Sequence, residues 1–485
     1  VAEVAIEAPK FPKGVSVYNA EGKQVASQLL SYRNGTVYLL IEATVPATGY
    51  AVYDVRLSGS QKLADSFVSE TTVENSVYKI SLDKQGDIIS LYDKKNNKEL
   101  VKDGKSIRLA LFTENESYNW PAWEILKKTI DRAPVSITED VKMNLCENGA
   151  LRKTLCIEKR HGKSLFRQYI RLYEGELADR ILLKAEFPLN VDNEKATYDL
   201  GIGSVQRGNN ILTAYEVYAQ YWADLTDSDG SYGVSIMNDS KYGWDKPDNH
   251  TLRLTLLHTP ETKNNYPYQD RQDLGYHTFT YSLVGHAGGL DKAQVVKESE
   301  VLNQRLKAFA AEKHSGTLGK AFSFASSDNS NVVIKALKKA ESSDEYVVRV
   351  YETSGKAPQN AVLTFAGTIT SAVEADGTEK SIGSADFSGN QLEVSIQPNS
   401  IKTYKVRFND NKKEELRCEQ LPLNYDRKCF SWNEFRWEAN FEAGYSYAAE
   451  LIPADITVNR VPFHLETKEE MNGMLCSGNT LQLPA

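Results

Sequence analysis

Between Trp222 and Pro260 the chain alternates apolar and polar side chains in two separate runs, a pattern that few folds accommodate. Val234 and Ile236 alternate with Tyr232, Ser235 and Met237 in the first run. Leu252, Leu254 and Leu256 alternate with Thr251, Arg253 and Thr255 in the second. A period of two sends successive side chains to opposite faces, so each run predicts a half-buried strand. Between them lie Asn238, Asp239, Lys241, Tyr242, Trp244, Asp245, Asp248, Asn249 and His250, expected as a loop. Its rings, carboxylates and amides suit a polyol such as a sugar, and they equally suit a long solvated hairpin loop.

The same punctuation recurs along the chain. Residues 1–60 read as a small N-terminal β-unit with a hairpin signal at Ala20-Glu21-Gly22, followed by the polar connector SGSQKLADS. From 70 to 305 a large all-β region is expected, with Tyr78, Ile80 and Leu82 on one face and a turn at Lys84-Gln85-Gly86. Further strands are predicted near 106–113, 135–146, 151–160, 166–173, 179–187, 196–206 and 211–221, a spacing that favours sandwiches over βαβ units. One helix is expected, capped by Asp291, with Ala293, Val296, Val301 and Leu302 on its inward stripe. Residues 318–408 are β again, and 418–485 read as an incomplete accessory β-sandwich. The opening VAEVAIEAPK and the closing GNTLQLPA both read as strands, so a longer natural protein is the expectation.

Charge and composition exclude several classes. The 57 Lys and Arg against 65 Asp and Glu give −8, with no basic block of the kind that neutralises phosphates, so no nucleic-acid partner is expected. No apolar run approaches the ~20 residues of a membrane-spanning helix, so no membrane partner is expected either. The compartment stays open between bacterial cytoplasm and periplasm. Of the five cysteines, Cys146 and Cys156 flank Glu147-Asn148-Gly149-Ala150. A two-residue Asn148-Gly149 turn would set Cys146 opposite Leu151, so no bridge between the two is expected.

Several stretches together resemble one family. WADLTD, YGVSIMNDSKYGWD and LRLTLLHTP look like the C-terminal β-region of glycoside hydrolase family 38, the zinc-dependent α-mannosidases. ENSVYKISLDKQGDIISLYDKK at 74–95, RQYIRLYEG at 167–175 and ATYDLGIGSVQR at 196–207 resemble the same region in the same order. The stretch 322–357 resembles its small closing sandwich, so the likeness covers roughly 1–408. The resemblance implies an all-β chain: a large galactose-mutarotase-like β-supersandwich flanked by smaller β-sandwich units. It also implies a parent α-mannosidase acting on α-mannosides and other glycans.

Glycoside hydrolysis uses two carboxyl groups at a set separation, about 5–5.5 Å for retention. No such pair is legible among 65 acidic residues. None of the seven histidines has Asp two residues on, and no His-x-x-x-His occurs. By the resemblance, the catalytic Asp residues and the zinc belong to an N-terminal catalytic domain, which would be this chain's own partner. No catalytic residue and no metal is expected within the 485 residues themselves.

Two places could face the sugar. Trp120 and Trp123 in YNWPAWE offer rings for stacking or for closing a domain boundary. The family usually has Asp before the Ala-Trp step, whereas Pro121 stands here. The other is the 238–250 loop, with Asp239 and Tyr242, and His258 beyond it. The family strand often ends in Leu-Leu-Arg; His258 is a weaker anchor than a guanidinium, or an ordinary polar cap. A stand-alone carbohydrate-binding β-sandwich protein is the alternative, and a mutarotase-type isomerase would need a His/Glu pair across a groove.

Overall fold

The computed structural model describes residues 1–59, 69–112, 115, 117, 121, 123–174, 186–259 and 275–409, with the backbone of five short strands outside these ranges. The chain divides into two compact units, 1–258 with 275–411, and 259–274 with 412–485. In the second unit, Leu423–Asn424 pairs with Thr480–Leu481, and Asp455–Val458 pairs with Val461–His464.

Among its described residues the regular elements of the first unit are strands apart from two helices, Lys127–Ile130 and Lys292–Asn303. Near its N-terminus, Thr36–Ile41 pairs with Ala2–Glu7 on one side and Ser27–Arg33 on the other, and Val4, Val17, Leu29, Val37 and Leu39 fill the core between turns. The turn at Gly22 sits at a positive φ of 78°, which costs little without a Cβ.

The large sandwich follows. Its main sheet has nine strands in the order Glu139–Asn148, Arg152–His161, Ser164–Tyr173, Ile181–Leu182, Tyr281–Ala287, Tyr232–Asn238, Trp222–Thr226, Lys195–Asp199 and Ser204–Gly208. A four-stranded sheet, Glu186–Pro188, Thr251–Leu254, Gly243–Asp248 and Val217–Tyr218, shares its core, as does the sheet holding Tyr78–Leu82 and Ile88–Asp93. Tyr78, Ile80 and Leu82 are buried in it as their alternation predicts. A second sandwich, built on Val332–Lys339, Tyr346–Glu352, Gln359–Phe365, Ile369–Ala375, Gln391–Ile396 and Ile401–Phe408, has its own core around Phe365, Leu392, Tyr404 and Val406.

Four expectations change. The two runs of the 222–260 stretch belong to different sheets, and the middle of the expected loop is the strand Gly243–Asp248, hairpinned to Thr251–Leu254. Tyr232–Asn238 is not half-buried: every residue in it is buried. Its second face is covered by the helix Lys292–Asn303, where Trp222 and Met237 meet Val295, Val296 and Tyr351. Asp291 does cap that helix, accepting from the Gln294 amide. The inward face, however, is Val295, Val296 and Ser299, and Val301 points outward.

The third change is at 196–206, a hairpin and not one strand, because Gly201 and Gly203 turn at φ 84° and 85°. The fourth is the cysteine pair: Cys146 and Cys156 form a disulfide, with Cα atoms 5.9 Å apart. Asn148 pairs with Lys153, so the turn spans Gly149 to Arg152 and not two residues. A bulge between Leu145 and Glu147 leaves Cys146 as the extra residue and swings it toward Cys156.

Candidate functional site

Two of the five predicted residues, Tyr242 and His258, flank the open end of the hairpin in the four-stranded sheet along the chain, and Asp239 lies in the turn that leads into it. Gly243 accepts a hydrogen bond from the Thr255 amide at 2.9 Å, so Tyr242 and His258 lie just beyond the same end of the pair. Tyr242 is exposed, and its ring stacks on Tyr218 at 6.2 Å and 28°. Below the pair, Thr255 Oγ1 donates to Glu216 Oε1 at 2.8 Å. Gly243 permits this, since a Cβ there would come within 2.5 Å of Glu216 Oε1. Burial raises the Glu216 pKa, with Asp245's charge adding to it and the Thr255 hydroxyl opposing. His258 is half-buried.

Asp239 has a structural task at this position. Its backbone N–H donates to the Thr280 carbonyl and its Oδ1 accepts from the Thr280 amide at 2.9 Å, tying the 238–242 turn to the entry of Tyr281–Ala287. Asn238 Oδ1 accepts from the amides of Ser240 and Lys241 and fixes the same turn. Asp239 therefore orients the segment that presents Tyr242.

The tryptophan loop is anchored to the same sheet. Arg253 is buried, donates to both Asp245 oxygens and to the Ile130 carbonyl at 3.2 Å, and lies 4.8 Å from the Phe112 ring centre. Both ends of the loop thus rest on one guanidinium. Inside the loop Asn115 donates to the Glu124 carbonyl and accepts from the Leu126 amide, and Ser117 donates to Glu124. Trp123 is 74% exposed on this frame, while Trp120 lies outside the described residues. A large exposed indole on a braced loop is a contact surface for a ring or a neighbouring face.

Sequence reading missed a buried polar cluster on the main sheet. His286 Nε2 meets Asp224 Oδ2 at 2.9 Å, and Ser235 and Thr226 hydroxyls donate to the same carboxylate. Gly233 leaves room for the imidazole, where a Cβ would approach it to 2.5 Å. Nothing in the spacing of residues 224, 233 and 286 announces the cluster. Burial disfavours the charged imidazole, yet Asp224's hydrogen bond and charge prevail and raise the pKa above its ordinary 6.5. A raised folded pKa means that the stabilisation is complete below the ordinary value and is lost as pH rises through the folded one. His286→Gln is therefore expected to lower the melting temperature more at about pH 5.5 than at about pH 9, and an equal loss at both contradicts this.

The described residues do not fit a zinc site. Among them no three His, Cys, Asp or Glu side chains converge to hold a metal ion, and the buried His286–Asp224 pair is completed by hydroxyls. No helix among the described residues is long and apolar enough to cross a membrane.

Taken together, the sheets define a multi-sandwich β-protein with exposed aromatic rings at one sheet end. Residues 73–266 match the glycosyl hydrolases family 38 C-terminal domain, residues 331–404 the family 38 C-terminal beta sandwich domain, and residues 413–485 an AziU2-like beta-sandwich domain. The chain belongs to glycosyl hydrolase family 38 as its C-terminal region. It is 26% identical over 454 residues to alpha-mannosidase G of Dictyostelium discoideum, covering 83% of this chain and 39% of that protein. It is 27% identical over 374 residues to alpha-mannosidase 2C1 of Homo sapiens, covering 71% of this chain and 35% of that one. The chain thus spans less than half the length of these relatives. A family 38 protein from Enterococcus faecalis shares the fold, with a TM-score of 0.62 at 14% identity over 84% of this chain and 56% of that chain.

Proposed function

We propose that this chain is the scaffold and substrate-rim portion of an α-mannosidase that hydrolyses α-mannosides in glycan metabolism. The observation that carries this reading is the pair of family 38 C-terminal matches, in order, at 73–266 and 331–404. The carboxyl groups that protonate and attack the glycosidic bond, and the zinc, would come from a catalytic domain outside these 485 residues, which is the chain's partner. The relatives, of which the chain spans about two fifths or less, have room for such a domain.

Within this reading Tyr242 offers its ring face to a sugar, with Tyr218 backing it, and His258 offers an imidazole nearby. Trp123 would extend the rim. In a polypeptide carrying both this chain and the catalytic domain, Tyr242→Ala is expected to raise KM for an aryl α-mannoside about tenfold with kcat little changed. His258→Ala is expected to act in the same direction and more weakly. Unaltered KM in both variants would remove these residues from the rim. The Cys146–Cys156 bridge favours an oxidising compartment such as the periplasm, and thiol titration of protein taken directly from cells tests that.

A further inference from the structure

We propose that the cleft beside the edge strand Ser204–Gly208 is a second saccharide-binding site, separate from the Tyr242 rim. The cleft has a volume of about 350 Å³, within the usual range for small ligands, and Glu194, Lys195, Arg207, Asn209, Ile211 and Val217 line it. Lys195 and Arg207 are donors, Glu194 is an acceptor, and Asn209 is both, while Ile211 and Val217 give an apolar patch. A sugar ring needs this combination, hydroxyls at its edge and C–H groups on its face. Cations and a carboxylate in one wall disfavour a ligand of a single charge sign, so the ligand class is a neutral saccharide.

The wall is built and held from behind. Ile211 and Ala214 exchange two backbone hydrogen bonds at 3.0 and 3.1 Å, closing a tight turn. Asn210 Nδ2 donates to Asp245 Oδ2 at 3.0 Å, Asn210 Oδ1 accepts from the Lys246 amide at 2.8 Å, and Asn210 N–H donates to the Lys246 carbonyl. The Lys246 ammonium is buried and donates to the Asn193 carbonyl, Asn209 Oδ1 and the Asp248 carbonyl at 2.6 to 2.7 Å. Asn209 gives one N–H to Asn249 Oδ1 and keeps a second. Arg207 donates one N–H to the Tyr218 carbonyl and retains others. Asn209 and Arg207 are thus held in place without a ligand, which lowers the cost of ordering them on binding.

Gly208 is the natural means of blocking the cleft. It lines the space, has no positive φ, and a Cβ there meets nothing closer than the Glu194 carbonyl at 3.7 Å, so Gly208→Phe fills the cleft without backbone strain. The choice of mannose as probe rests on the function proposed above, whereas the saccharide site itself does not. Calorimetric titration of the 485-residue chain with methyl α-mannoside and with a mannose disaccharide is the test. Binding weakened at least about tenfold by both Gly208→Phe and Arg207→Gln supports the site, and binding unchanged in both overturns it. If Gly208→Phe melts early, Arg207→Gln decides alone. No binding to the wild-type chain, or binding lost only in Tyr242→Ala, overturns the cleft proposal; the latter leaves the rim reading standing. Mannosidase activity is assayed separately on the longer polypeptide, so its failure is distinguishable.

Discussion

Replacing Arg253 by methionine is expected to destabilise the large sandwich by about 3–5 kcal/mol, because Asp245 is left buried without its partner. Methionine keeps much of the volume, so the loss reports charge and hydrogen bonding more than a cavity. The effect reaches further than the pair. The Ile130 carbonyl loses its donor and Phe112 loses the guanidinium on its ring, so both ends of the tryptophan loop are released. Urea unfolding monitored by circular dichroism should show a lower midpoint, and amide exchange should accelerate at 126–131 as well as at 251–254. Substituting Asp245 as well, by leucine, should recover part of the loss, since two apolar side chains cost less than one orphaned charge. A midpoint within about 0.5 kcal/mol of wild type would show that the pair carries little.

Gln28→Ala is expected to cost about 2–4 kcal/mol, an unusual penalty for one polar side chain. Gln28 sits in the N-terminal sheet, buried, and reaches into the turn of the Glu139–His161 hairpin. Its Oε1 accepts from the amides of Leu151 and Arg152 at 3.0 and 2.8 Å, and its Nε2 donates to the Arg152 carbonyl at 3.0 Å. One amide side chain thus does for the turn what a neighbouring strand would do. Truncation leaves the buried amides of Leu151 and Arg152 to find water or go unpaired, while the Arg152 carbonyl keeps the Gly149 N–H. Gly149 is part of the same arrangement, since a Cβ there would come to 2.0 Å from the Gln28 side chain. Gly149→Ala should therefore resemble Gln28→Ala, and both should speed amide exchange at 149–153. Unchanged exchange there would contradict the assignment.

Much of the fold is legible in the alternation, and the reason is simple: a period of two reports which side chains face inward. Tyr78, Ile80 and Leu82, the Gly86 turn and the Asp291 cap all follow from local chemistry. Alternation does not report which sheet a strand joins. For that reason the 222–260 stretch is divided between two sheets, and its polar middle is a strand. Nor does it report a second covering layer, so the full burial of Tyr232–Asn238 under a helix was hidden. The disulfide depends on a bulge, a one-residue slip that the two-residue turn signal could not foresee.

The candidate site was less legible than the fold. Tyr242 follows from the hairpin, but Tyr218, which stacks on it, comes from the strand Val217–Tyr218, and Glu216 precedes that strand, with no spacing to link them. Asp239, chosen for its carboxylate, holds a turn. The cleft residues 194–195, 207–209, 211, 214 and 217 meet only because a hairpin and a bridged loop fold onto one edge. Single-sequence reading sees residue types, whereas sites are made by sheet pairing.

The most direct measurement is hydrolysis of an aryl α-mannoside in the presence of zinc, by this 485-residue chain and by a longer polypeptide that contains it. Turnover is expected from the longer polypeptide and none from the chain alone. Turnover by the chain alone, abolished by a chelator, would place the metal and the acid groups among these residues and contradict the account.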